Sequence, residues 1–150
     1  MIVLDASVVV ELLTNGPLAN SLRRDLAGRS EPFIVPHLLD VEVVSALRSL
    51  TAGRRIDSYR SEQLLTELAA LRARRYAHTP LLSRVWELRH NFTAYDAVYI
   101  ALAEATGSVL YTCDAKLQRP SRSGRALRGL TPARDHADSH RLSTPSPPGR

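Results

Sequence analysis

Four carboxylates stand where chemistry can be done: Asp5, Glu42, Asp96 and Asp114. Asp5 follows a short β-prone run, IVL, at residues 2–4. Asp114 follows a second such run, SVLYT, at residues 108–112. Asp96 heads residues 97–103, which carry no charge and are mostly apolar. Glu42 lies in HLLDVEVVSALRSL. At the helical period Leu39, Val43, Ala46, Leu47 and Leu50 share one apolar face there, with Glu42 at its edge. Ionised carboxylates taken out of water need compensation. Crowded together, they repel and raise one another's pKa. A hard divalent cation, Mg²⁺ or Mn²⁺, resolves both problems, because it takes oxygen ligands in octahedral geometry and keeps some waters.

Each acid also has a local reading. Asp5 sits where a helix N-cap would, before SVVVELL. Asp114 suits the start of a turn or of a short helix through Lys116. Thr93-Ala94-Tyr95-Asp96 fits a capping box, with Thr93 as N-cap and Asp96 three residues on. Glu42 can be an edge residue reaching water. Asp40 points roughly 200° away from Glu42 at the helical period, as a solvated or first-turn residue. Spacing alone leaves these alternatives open.

The elements that must position the acids alternate between strands and helices. Strands are expected at residues 2–4, 33–35 (closed by Pro36) and 108–112, with residues near Tyr76 ambiguous. Helices are expected from residue 6, broken by Asn15-Gly16-Pro17, then at 18–27, 38–53, 58–74 after an Asp57 cap, 80–90 and 94–106. This order predicts an α/β fold with a short parallel sheet and helices on both faces. Sites in such sheets form beyond the carboxyl ends of the strands, where Asp5 and Asp114 stand.

The chain has 150 residues and 44% apolar content, which fits one domain with a real core. Its single cysteine, Cys113, excludes an intramolecular disulfide and points to a reducing, cytoplasmic setting. MIVLDASVVVELL lacks a basic leader region, and no apolar run approaches the roughly 18 residues that span a membrane. The net charge of +5 is unevenly placed. Beyond residue 115 stand eight basic and two acidic residues, 8 − 2 = +6, so residues 1–115 carry 12 − 13 = −1. A basic segment suits a polyanion, and a solvated tail explains it as well. Residues 131–150 are poor in apolar types and rich in Pro, Ser and Arg, which predicts a disordered tail after a domain at 1–130. Trp86 is read as core beside Val85 and Leu88, His37 and His90 as surface, and Cys113 as an unactivated thiol.

LDASVVVELL, VPHLLDVEVVSALR and TAYDAVYIALAEATGSVLYTCDAKL together resemble a PIN-domain ribonuclease of the VapC toxin type. The resemblance covers about residues 1–118, and its last block is the most specific. It implies a three-layer α/β/α fold with acids around Mg²⁺ or Mn²⁺. Asp5, Asp96 and Asp114 match the core metal ligands, and Glu42 the residue that completes the site or helps a second ion. Ser7 and Thr112 match small hydroxyl positions beside the acids. The implied chemistry is hydrolysis of RNA phosphodiester bonds, with a homodimer and an inhibitory VapB-type antitoxin as partners. The chain departs from the family after Asp114. Lys116 and Gln118 stand where some members carry a further acid, and ALRGL is a weak candidate for the closing strand.

Competing folds fit less well. A phosphotransfer protein of the haloacid-dehalogenase type needs a second Asp where Ser7 stands. A response-regulator receiver needs a lysine after a later strand, and the only lysine, Lys116, is misplaced. A PIN-like module that binds RNA or an antitoxin without cutting is the alternative within the same fold.

Overall fold

The computed structural model describes residues 1–115, Leu117 and residues 128–129. β1 (Ile2–Leu4) leads into α1 (Ala6–Thr14) and α2 (Ala19–Ala27). β2 (Phe33–Pro36), α3 (Leu38–Ala52), α4 (Ser58–Ala69) and β3 (Ala73–Tyr76) follow. A 3₁₀ turn (Thr79–Leu81), α5 (Leu82–Glu87) and a second 3₁₀ turn (Leu88–His90) precede α6 (Ala94–Thr106), β4 (Val109–Thr112) and β5 (Arg128–Gly129). The strands form one parallel sheet in the order β3-β2-β1-β4-β5.

β1 is central. Ile2 and Val3 pair with Phe33 and Ile34 on one side, and Ile2 to Leu4 pair with Val109 to Tyr111 on the other. All three of its residues are buried, as a parallel strand covered on both faces requires. After β1 the chain builds outward through β2 to β3, then returns to lay β4 on the opposite side of β1. That reversal creates a crevice between the ends of β1 and β4, where ligands of open α/β sheets bind.

α6 lies against β1, β2 and β4, with α5 packed on it. Every residue from Ala97 to Ala103 is buried, so the helix is apolar all round because protein surrounds it. Burying each of Ile100 and Leu102 contributes about 1.5–3 kcal/mol. α1 packs on α2, α3 and α4 as the second helical group. Among the described residues no helix is long and apolar enough to cross a membrane.

Several expectations shift. β2 runs one residue further than 33–35: Pro36 closes it as expected, but as its last paired residue, opposite Tyr76. α4 stops at Ala69 rather than near residue 74, because residues 73–76 form β3. The helix expected at 80–90 is divided among α5 and its two flanking 3₁₀ turns. ALRGL does supply a strand: Arg128 and Gly129 pair with Tyr111 and Thr112. Trp86 is not core but 67% exposed. Val85 and Leu88 turn inward, and at 100° per residue Trp86 falls with exposed Leu82 on the outer face. The tail expected at residues 131–150, with Lys116 and Gln118, lies outside the described residues.

Candidate active site

Asp5 occupies the N-cap position of α1 in extended conformation, yet its side chain makes no capping hydrogen bond. The residue is 7% exposed, and its carboxylate takes side-chain hydroxyls instead. Register explains its place. Leu4 pairs with Tyr111, and the Asp5 N–H donates to the Tyr111 carbonyl at 3.0 Å. The next residue on each strand is therefore Asp5 beside Thr112.

Two hydroxyls fix the Asp5 carboxylate. Thr112 Oγ1 donates to Asp5 Oδ2 at 2.6 Å, and Ser7 Oγ donates to the same oxygen at 2.8 Å. Each hydroxyl also accepts a backbone N–H, from Asp114 to Thr112 and from Cys113 to Ser7, both at 3.0 Å. An amide can only donate, so each hydroxyl proton is left to point at Asp5. Neither hydroxyl occupies Oδ1. Burial raises the Asp5 pKa, and the Thr112 and Ser7 hydroxyls and the amides of Ala6 and Ser7 oppose that rise.

Glu42 sits at the edge of the α3 core face and is half-buried, as the periodicity predicts. The hydroxyl of Tyr99, on α6, donates to Glu42 Oε2. Burial raises the Glu42 pKa, the Tyr99 bond lowers it, and the charges of Asp5 and Asp96 raise it again. Glu42 thus lies within the field of both Asp5 and Asp96. Tyr99 itself is 1% exposed. Burial first, then its bond to the Glu42 carboxylate, pushes its phenol far above the usual range.

Asp96 keeps partial exposure at the start of α6, so Asp5 is the acid withdrawn from water. The capping box forms in modified style. Thr93 Oγ1 accepts the Asp96 N–H at 3.2 Å and donates to Asp96 Oδ2 at 2.8 Å, so the carboxylate takes the hydroxyl rather than the Thr93 amide. Asp114 follows β4 as the fourth acid. Its N–H bonds Thr112, and its carbonyl accepts the Leu117 N–H at 3.1 Å, the turn that its position suggests.

Asp5, Glu42 and Asp96 thus share a design: hydroxyls orient them, and among the described residues no cationic side chain pairs with them. The donor set is all oxygen and negatively charged, which fits Mg²⁺ or Mn²⁺. Among the described residues no three acidic, histidine or cysteine side chains close tightly enough to enclose an ion by themselves.

Ser7 and Thr112 stand beside the acids as expected. Tyr99 is the residue the sequence analysis overlooked. Its signal was available: it lies one turn beyond Asp96 on the same helix face, and a buried tyrosine hydroxyl seeks a partner. Asp40 is in the first turn of α3 but is not merely solvated, since it accepts from Arg75 Nε at 2.8 Å and Nη2 at 2.9 Å. His37 and His90 are exposed. Burial, with the nearby Glu11 and Asp5 charges, raises the Cys113 thiol to about 11, so it is unactivated.

The PIN domain family model matches residues 2–122. Ribonuclease VapC9 of Mycobacterium tuberculosis (strain ATCC 25618 / H37Rv) is 39% identical over 117 residues, covering 78% of this chain and 88% of the relative. Ribonuclease VapC1 of the same strain is 40% identical over 116 residues, 77% of this chain and 86% of the relative. Two solved structures share the fold. VapC20 of M. tuberculosis, described as a sarcin-ricin loop cleaving toxin, superposes with TM-score 0.62 at 18% identity, covering 78% of this chain and 92% of that one. VapBC2 of Rickettsia felis, bound to a promoter DNA fragment, gives TM-score 0.63 at 13% identity, covering 87% and 100%. The matched span runs from β1 past β4 and contains all four acids, and the chain belongs to the PIN domain family.

Proposed function

We propose that this protein is a VapC-type endoribonuclease toxin that hydrolyses RNA phosphodiester bonds with Mg²⁺ or Mn²⁺. One observation carries the reading: the charges of Asp5 and Asp96 both bear on Glu42 beside the ends of β1 and β4, and all three acids are oriented by hydroxyls and paired with no cationic side chain among the described residues. The relatives named ribonuclease VapC support the substrate class.

Asp5, Asp96 and Asp114 would hold the ion, and Glu42 would complete the site. Bound there, a divalent cation makes a water more acidic and offsets charge on the attacked phosphate. The chain's own work is orientation. Ser7 and Thr112 keep Asp5 Oδ2 engaged, Tyr99 aims Glu42, and Thr93 aims Asp96. The rigid strand ends and the packed α6 fix these groups before substrate arrives, so little reorganisation remains for the reaction itself.

A VapB-type antitoxin is the proposed inhibitor. An uncancelled acidic crevice favours a partner that offers basic side chains. The solved toxin-antitoxin complex from Klebsiella pneumoniae shares this fold, with TM-score 0.63. Val41 and Val44, 67% and 45% exposed on α3, suit coverage by a second copy, and a homodimer belongs to the same proposal.

The test is incubation of the purified protein, freed of any bound partner, with total cellular RNA in Mg²⁺, Mn²⁺ or EDTA. Discrete cuts should appear with the metals, vanish in EDTA, and fall at least about 100-fold in Asp96→Asn. Retained RNA binding without any cutting by folded, metal-supplied protein would move the assignment to a binding-only module.

A further inference from the structure

A cavity of about 650 Å³ opens at the turn between α3 and α4, lined in part by Arg54, Arg55, Arg60, Thr51, Ser58 and Asp57. It is remote from the acids. Thr51 lies nine residues beyond Glu42 on α3, about 14 Å along the helix axis. α3 leaves the β2 end that borders the crevice, so its C-terminus reaches the other side of the molecule.

Two of the three guanidinium groups are uncommitted. Arg60 is tied down: its Nη1 donates to Glu67 at 2.9 Å, and its Nη2 to the Leu13 carbonyl at 3.4 Å. Among the described residues the Arg54 and Arg55 side chains have no hydrogen-bond or ion-pair partner. Asp57 brings one carboxylate, and its Oδ1 already accepts the Arg60 N–H at 2.7 Å as the cap of α4. The cavity therefore keeps a positive excess.

The backbone gives a second observation. Arg54 has φ 55°, in the left-handed region. Its neighbour's bond, Arg55 N–H to the Leu50 carbonyl at 2.9 Å, is the wrap that ends a helix on a left-handed residue. Asn15 and Gly107 fill the equivalent places after α1 and α6, and both types tolerate them. An arginine does not, and Gly53 beside it has φ −78° and leaves its own freedom unused. A long cation is held at the cavity wall in a place the backbone would give to glycine.

We propose that this cavity binds a backbone phosphate of RNA, as a second anchor remote from the site of cutting. Paired guanidiniums match phosphate oxygens in geometry and charge. That the phosphate comes from RNA rests on the nuclease reading, whereas the affinity for phosphate rests on the arginines alone.

The experiment measures binding of a fluorescent single-stranded RNA of mixed sequence to metal-free protein across a range of salt. It compares wild type, Arg54→Gly, Arg55→Gln and the double variant. The slope of log K against log salt should flatten by about 0.7 for each arginine removed, and the double variant should bind roughly fivefold or more weakly. Arg54→Gly should also raise Tm by about 2–4 °C, since it relieves the left-handed arginine. Weakened RNA binding in a more heat-stable protein is an outcome no purely structural role produces. Unchanged affinity and slope in both single variants overturn the proposal. Inorganic phosphate is titrated alongside; its loss in the variants with an unchanged RNA slope would make this a small-anion site and overturn the RNA assignment. Binding is read without cutting, so a failure of the nuclease reading shows separately, in the cleavage assay.

Discussion

Tyr99 reaches the candidate site without being one of its acids. Its hydroxyl is the only hydrogen-bond donor to the Glu42 side chain among the described residues, and that bond opposes the rise in the Glu42 pKa. Tyr99→Phe keeps the buried ring and removes the donor. Cation affinity or cleavage should fall about 10- to 100-fold, with Tm little changed, as read by metal titration beside thermal melting. The raised carboxyls predict a second behaviour. Asp5 and Glu42 hold their protons more tightly in the folded chain than in the unfolded one, so each favours folding at acid pH. That contribution is lost as pH climbs from the ordinary carboxylate range through the raised folded values. Mg²⁺ or Mn²⁺ should therefore raise Tm more in neutral than in acidic buffer. A shift equal in both would show that these acids do not bind the ion. Asp5, Asp96 and Asp114 were legible in the sequence because strand ends and helix starts announce themselves, and Glu42 was legible from the helical period. Their orienting groups were only half legible: Ser7 and Thr112 sit beside an acid in sequence, whereas Tyr99 reaches Glu42 across 57 positions and reads as one more core residue.

β3 shows what an element requires beyond pattern. Ala73-Arg74-Arg75-Tyr76 is too polar to announce a strand, and it lies at the sheet edge. Arg75 secures it. Its guanidinium grips Asp40 at the start of α3 with two bonds and donates to the Leu68 carbonyl of α4 at 3.1 Å. One side chain thus ties an edge strand to the two helices that precede it. Both partners of the pair are partly exposed, so solvent screens it. Arg75→Ala should cost about 1 kcal/mol, read as a lower urea midpoint at unchanged m-value. Arg75→Lys should recover only part, because an ammonium cannot make the paired contact. The same long-range dependence explains why α4 was read too long: nothing local stops the helix before residue 74, and pairing of residues 73–76 with β2 does. Trp86 errs in the opposite direction. Its apolarity suggested burial, while the helical period set it outward.

The whole molecule assembles its site through strand order, which alternation of elements does not reveal. Local sequence gives five short parallel candidates at most. Placing β4 beside β1, after β2 and β3 have extended the other way, is what brings Thr112 to Asp5 across 107 positions. Size and core then suggest how much chain the site needs. Among the described residues the last buried apolar side chain is Leu117 and the last strand residue Gly129, and the family match ends at residue 122. Residues 131–150 add three arginines, Arg134, Arg141 and Arg150, against Asp135 and Asp138, so they contribute only 3 − 2 = +1 to the charge. A chain ending at residue 130 should therefore melt within a few degrees of the full chain, cut the same RNA sites with the same metals, and keep nearly the same salt slope. Loss of cutting at unchanged Tm would instead make the tail part of the RNA-binding surface, and a large fall in Tm would extend the folded domain past β5. Because the net charge removed is so small, either result would have to come from particular contacts rather than from general attraction to a polyanion.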